Sequence, residues 1–210
     1  MCEEMIKSFK ETTTGESDLV LGLSANDPHV EDYLKLANRY NLGIYIEDTN
    51  SITKIFNSIW EMSNNKYIAY HMTNDDVLYQ SPEWDKFVVY FFTKLYKKGG
   101  IMYGDDQFHG MQLCTLPIIS ANICDALGWL QYDALGSLFG DAVWMHIGMN
   151  AECLHYISNF KTEHRHWINE KRENDNLNYR EHLKRDEFIF NFWKQNLADE
   201  AIVKVKELIK

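Results

Sequence analysis

Between Asp18 and Met72 the hydrophobic pattern changes period repeatedly, and that alternation limits what the chain can fold into. The apolar run "DLVLGL" (Asp18–Leu23) sits between "TTTGES" and "SANDP" and reads as a buried strand. Asp27 followed by Pro28 opens a helix with Pro at its first position. Val30, Tyr33, Leu34, Leu36 and Ala37 continue it at helical spacing until "NLG". "GIYIE" (Gly43–Glu47) is a second strand. Asn50 or Ser51 then caps a helix with Ile52, Ile55, Phe56, Ile59 and Trp60 on one face, and "KYIAYHM" is a third strand. Strand alternating with helix predicts an α/β fold, a mostly parallel central sheet with helices on both faces.

The second half is read more coarsely. Ser81-Pro82-Glu83 opens a helix that runs to Gly99-Gly100, and "IMYG" and "CTLPIIS" are further strands. "ANICDALGWL", the segment around Asp141 and "CLHYIS" follow. We expect a single domain: an N-terminal helix (1–17), a catalytic core (18–167) and a C-terminal helical segment (168–210). The charged run "NEKRENDNLNYREHLKRDEF" reads as a solvated face, and "IFNFWKQNL" carries enough apolar residues to dock.

Charge narrows the partners. With 21 Lys and Arg against 31 Asp and Glu, the net charge of -10 excludes a broad nucleic-acid or anionic-membrane footprint. A phosphorylated ligand would then be received through a metal ion. The four cysteines (Cys2, Cys114, Cys124, Cys153) show no CxxC spacing and read as reduced, buried thiols. No apolar signal core and no run of membrane-spanning length is visible, so a cytoplasmic protein is expected.

In an open parallel sheet, ligands bind beyond the carboxyl ends of the strands, where Asp27, Glu47 and Asp75/Asp76 fall. Asn74-Asp75-Asp76 is either a turn that feeds the next helix or an oxygen-rich ligand set for Mg2+ or Mn2+. Adjacent carboxylates repel, and burying one costs several kcal/mol unless something positive compensates. "EHRHW" places His164 and His166 at alternating spacing, as metal ligands or structural hydrogen-bonders; HxH also occurs in zinc hydrolases. Asp141, in "FGDAVWMHIG", is a helix cap or a general base whose pKa is raised by apolar walls. Trp129 in "LGWL" is a core residue or a flat platform for a sugar ring. "YGDD" (Tyr103–Asp106) reads as a plain turn.

Taken in order, the Asp-rich strand end, "SPEWDK", "IMYGDD", "TLPIIS", "ALGWL", "FGDAVW" and "EHRH" resemble the GT-A class of nucleotide-sugar glycosyltransferases. The likeness is to compact enzymes of large DNA viruses, particularly chlorella viruses, and of phages, and it covers roughly Asp18 to Trp167. It implies a GT-A (Rossmann-like) fold that transfers a sugar from a nucleotide diphosphate donor, by default a UDP-sugar, to a hydroxyl on a glycan or glycoprotein acceptor. It implies Mn2+ or Mg2+ held by Asp76 with His164 or His166, donor contacts from Asp27, Asn74, Asp75 and Trp129, and Asp141 as the base of an inverting transfer. The sequence departs from that family at its start, where no base-binding strand is read before "MIKSFKETTTGE". Three other classes remain open. A nucleotidyltransferase would add a Gly-rich, Lys/Arg-bearing phosphate loop, which is not seen. A zinc hydrolase would use His164 and His166. A non-catalytic nucleotide-sugar-binding module would bind the donor without turning it over.

Overall fold

A computed structural model of the chain describes residues 1–63, 66–165 and 179–210, the side chains of 179 and 180 excepted. It is α/β, with helix in about half of its length. Helix α1 (Cys2–Thr12) precedes β1 (Val20–Ser24), α2 (Val30–Tyr40), β2 (Gly43–Glu47) and α3 (Ile52–Met62). Then come β3 (Ala69–His71), β4 (Val77–Tyr79) and α4 (Trp84–Tyr90), which loosens into a π-helical turn at Phe91–Leu95. Strand β5 (Ile101–Asp105), a 3-10 turn (Gly110–Gln112), β6 (Ile118–Ser120), α5 (Ala121–Leu127) and α6 (Gly140–Asn150) follow. Strand β7 (Leu154–His164), α7 (Tyr179–Asn196) and α8 (Ala198–Ile209) complete the order.

The expectation of a mostly parallel sheet needs correction. β1 and β2 pair in parallel, as their α2 crossover requires, but they form a separate two-stranded sheet. The central sheet has the order β3-β6-β5-β7-β4, and only its β5–β7 pair is parallel. The other three pairs are antiparallel. Between β5 and β6 there is only a 3-10 turn and no α-helix to carry the chain back across a face, so the chain returns antiparallel.

Helices do cover both faces, and the period of two in β5 shows how. Ile101 and Tyr103 enter one apolar cluster with Trp144, Ile147 and Trp193, whereas Met102 enters the other with Met5, Phe9, Val77 and Trp84. β6 divides likewise, with Ile119 in the first cluster and Ile118 in the second. In β5 and β6 the positions toward either layer are thereby buried, which is why "IMY" and "II" read as continuous apolar runs. The C-terminal segment docks through Trp193, 2% exposed, against Tyr132 and His146. Truncating such a residue to Ala typically costs about 3–5 kcal/mol.

Several local readings hold with small shifts. Ser51 caps α3 by accepting the Lys54 N–H. Asn41 ends α2 in the left-handed conformation. α2 starts at Val30, two residues beyond Pro28, because Asp27 folds into a turn that accepts the His29 N–H. The four cysteines are buried and free. Among the described residues no helix is long and apolar enough to cross a membrane.

Candidate functional site

The site is built by what flanks the end of β7. β4 pairs with β7 so that Val77 lies opposite His164, which sets Asp76 beside the strand's end; the Arg165 N–H donates to the Asp76 carbonyl at 2.8 Å. On the other side β5 runs parallel to β7. As β5 advances one residue, from Gly104 to Asp105, its partner jumps from Ile157 to Lys161. This bulge carries the Phe160 backbone against Gly104, where an added Cβ would lie 2.1 Å from the Phe160 carbonyl oxygen. Only glycine fits that approach. The three extra residues draw the end of β7 level with the end of β5, and the His164 N–H donates to the Asp106 carbonyl at 3.2 Å.

His164 thus stands between two carboxylates. Its Nε2 is 3.5 Å from Asp76 Oδ1 and its Nδ1 is 3.7 Å from Asp106 Oδ2. All three side chains are buried. Asp106 Oδ1 accepts the backbone N–H groups of Phe108, His109 and Gly110 at 2.7 to 3.0 Å, which fixes the 3-10 turn, while its Oδ2 faces His109 Nδ1 at 3.2 Å. Burial alone would lower the His164 pKa, but the Asp106 and Asp76 carboxylates outweigh it and raise it to about 9. For Asp106, burial pushes upward, yet the His164 side chain and the Gly110, Phe108 and His109 amides hold it well below the usual carboxylate range.

Asp141 stands in the first turn of α6, where its Oδ1 accepts the Ala142 N–H at 2.7 Å. Burial raises its pKa against the opposing effect of that N–H and of the His109 and His164 charges, so it lies within the electrostatic reach of both imidazoles. Behind it, the Cys114 thiol is raised well above its ordinary value by burial and by the Asp141 charge. Neighbouring acids pushed in opposite directions are the arrangement that assigns different proton roles to chemically similar groups.

The remaining sequence-based candidates fall in three places. Asn74 is exposed, and Asp75 is half-buried beside Cys2. Asp75 borders an open cavity of about 370 Å³ between α1 and α2, together with Cys2, Asp32, Tyr33 and His29. Asp27 reaches that cavity only through His29, whose N–H it accepts at 2.7 Å. Trp129 packs its ring on Trp144 and Tyr132, centroids 5.1 and 6.1 Å apart, and is part of the core packing. His166 lies outside the described residues.

Asp106 and His109 were not among the candidates. The signal for Asp106 was present in "YGDD", a strand-end acidic pair like Asp75/Asp76. What the sequence did not show is that the bulge in β7 brings that strand end to His164.

Among the described residues no group of three or more His, Cys, Asp and Glu side chains is arranged to hold a metal ion. A substrate-chelated Mg2+ asks for less, since it is bound by one or two protein carboxylates and by phosphate oxygens and water. Two ligand atoms each ~2.1 Å from one ion, at right angles, lie about 3 Å apart. Asp76 Oδ1 and His164 Nε2, at 3.5 Å, have nearly that spacing. Asp106 stands on the other ring nitrogen, where a carboxylate orients a ligating imidazole. The donor set therefore fits a divalent cation once His164 gives up its proton. No protein-family model matches the chain, and no curated protein does.

Proposed function

We propose that this protein is a metal-dependent glycosyltransferase that moves a sugar from a nucleotide diphosphate donor, by default a UDP-sugar, to a hydroxyl acceptor with inversion. The observation that carries the reading is the convergence of Asp76, Asp106 and His164 at one strand end, with Asp141 in electrostatic reach of His164 and its pKa raised by burial. Resemblance to the GT-A glycosyltransferases in the order of motifs supports it, and so does the net charge of -10, which leaves a diphosphate dependent on a cation.

Asp76 and His164 would hold Mn2+ or Mg2+, which when bound neutralises the charge that develops on the departing diphosphate. Asp106 keeps the His164 ring in the orientation that presents Nε2, and the three amides on its other oxygen keep Asp106 itself in place. Asp141 takes the acceptor's proton. As it does, the acceptor oxygen bonds to the anomeric carbon, and the bond from that carbon to the diphosphate breaks with its electron pair leaving on the diphosphate. A base with a raised pKa holds the proton better during this step. The cavity beside Asp75, held open between α1 and α2, offers space for the nucleoside.

Thermal shift against a panel of nucleotide sugars, with Mn2+ and with EDTA, tests this. One UDP-sugar should stabilise the protein in Mn2+ and not in EDTA. Asp76→Ala should weaken that binding by more than about 100-fold, because even residues behind a metal ligand are typically worth about 10- to 100-fold. Equal stabilisation in EDTA would sink the reading.

A further inference from the structure

We infer that Asp186 is a positioning residue for Asp141: through this one carboxylate, α7 holds the loop that sets where α6 begins. The inference rests on the assignment of Asp141 as base.

Asp186 belongs to the charged run that reads as a solvated face, yet it is fully buried. Such a carboxylate is costly unless its lone pairs are answered. Here three successive backbone N–H groups answer it. Ser137 and Leu138 donate to Oδ2 at 2.9 Å, and the Gly136 N–H lies 3.2 Å from each oxygen. The neighbouring Arg185 covers Oδ1 with Nε at 2.9 Å and a terminal nitrogen at 2.8 Å. An added Cβ on Gly136 would lie 1.5 Å from that half-exposed guanidinium, which would have to swing off Asp186 to make room.

The same loop is gripped from the opposite side. The Gly136 carbonyl accepts the Thr53 N–H at 3.3 Å and the Ser51 hydroxyl at 3.4 Å, both from the start of α3. Next, Phe139 takes a left-handed backbone (φ +65°) as the residue before α6, and its ring stacks on Phe190 of α7 with centroids 5.5 Å apart. Asp141 is two residues further on. Its position is therefore set by a loop with no regular structure of its own, clamped between α3 and α7. A displacement of about 1 Å at a catalytic group can cost about 100-fold in rate.

Asp186→Asn keeps the shape but turns an N–H donor toward amides that need an acceptor. It should speed hydrogen exchange at Gly136, Ser137 and Leu138. It should lower UDP release from the best-stabilising UDP-sugar of the panel by about 10- to 100-fold. Mn2+-dependent donor affinity should stay within about twofold, because Asp76 and His164 sit on other elements. In an Asp141→Asn background it should cause no further loss, because no base is left to misplace. The same fold loss in both backgrounds would overturn the inference and leave the base assignment standing. Normal turnover despite freed amides would do the same. A silent Asp141→Asn would overturn the base assignment itself, and the inference with it. Should Asp186→Asn not fold, Phe190→Leu loosens the same loop from the same helix, and the same double-variant comparison decides.

Discussion

Asp85 and Asp106 are buried to the same degree, 2% and 1% exposed, and differ in what answers them. Asp85, in the first turn of α4, accepts the Thr14 and Glu16 N–H groups at 2.8 and 3.0 Å and the Thr14 hydroxyl at 3.1 Å. None of those partners can gain or lose a proton near neutral pH, so Asp85 serves to pin the start of the α1–β1 connection to α4. Asp106 has one oxygen answered in the same way, by three backbone amides, but turns the other toward His109 and His164. Burial of a carboxylate therefore does not by itself mark chemistry. The titratable partner does, because only then does the site have two protonation states between which a ligand can choose. Asp186 resembles Asp85 in being answered by backbone, with a guanidinium added, and what it pins lies next to Asp141.

The largest effect that sharpens this contrast is expected at Asp141. Asp141→Asn should lower turnover by about 10²- to 10⁴-fold, the usual worth of general-base assistance. Donor and Mn2+ affinity should change little. If Asp141 were only a helix-start residue, like Asp85, the change would be nearly silent, because Asn caps about as well as Asp. Steady-state rates beside Mn2+ titrations on the same variant decide between them, and near-normal turnover would remove Asp141 from the mechanism.

A smaller effect is expected from exchanging the two carboxylates of the comparison for amides. In Asp106→Asn the retained Oδ1 still accepts the three turn amides, so the fold should persist. The charge behind His164 disappears, and Mn2+ affinity should fall by about 10- to 100-fold. Asp85→Asn should leave Mn2+ affinity unchanged and lower stability by about 1–3 kcal/mol, because an amide cannot answer every donor that faces the carboxylate. Isothermal titration and chemical denaturation of both variants provide the check. If both lose metal affinity alike, or neither does, the distinction between pinned and titratable carboxylates fails here.

Much of the element order was legible because β1 alternates buried with exposed positions and α2 and α3 carry apolar residues at helical spacing, while β2 showed as an apolar run although none of its residues is buried. Pairing leaves no such trace. "DLVLGL" and "GIYIE" announce strands without saying that they stand apart from the central sheet, and "IMYG" does not say that it neighbours β7. β4 was missed because Val77–Tyr79 is three residues long, squeezed between Asp76 and Ser81-Pro82, too short to show an alternation. The long extension of β7 to His164 depends on β4 and β5 as partners, so "CLHYIS" alone read as a shorter strand. The candidate site divides along the same line. Asp76, Asp141 and His164 stood out because an acid or an imidazole beside apolar residues is locally conspicuous. Asp106 looked like a turn, which it also is, and Asp186 was hidden in a run of surface charge. Both acquire their roles from contacts that span dozens of residues or more.

The smallest effect concerns stability in the absence of metal. His164 has a folded-state pKa of about 9 against an ordinary 6.5. A group raised on folding stabilises fully below its unfolded pKa, and that contribution fades as pH rises through the folded one. In EDTA the melting temperature should therefore hold near pH 6 and decline between about pH 6.5 and 9 as the imidazolium between Asp76 and Asp106 loses its proton. The decline should be about ten degrees at most, since the difference between 6.5 and about 9 is worth no more than about 3 kcal/mol and 1 kcal/mol moves a chain of this size by roughly 2–4 °C. Asp106→Asn removes one of the two charges that hold the proton, so its decline should be shallower and begin at lower pH. Mn2+ competes with that proton for Nε2, which makes the stabilisation gained from Mn2+ grow over the same interval. Asp85→Asn should leave the shape of both profiles as it is in the unaltered chain. A flat or rising profile in EDTA between pH 6.5 and 9 would show that His164 is not held as an imidazolium. The resemblance between Asp106 and Asp85 would then be closer than their contacts imply.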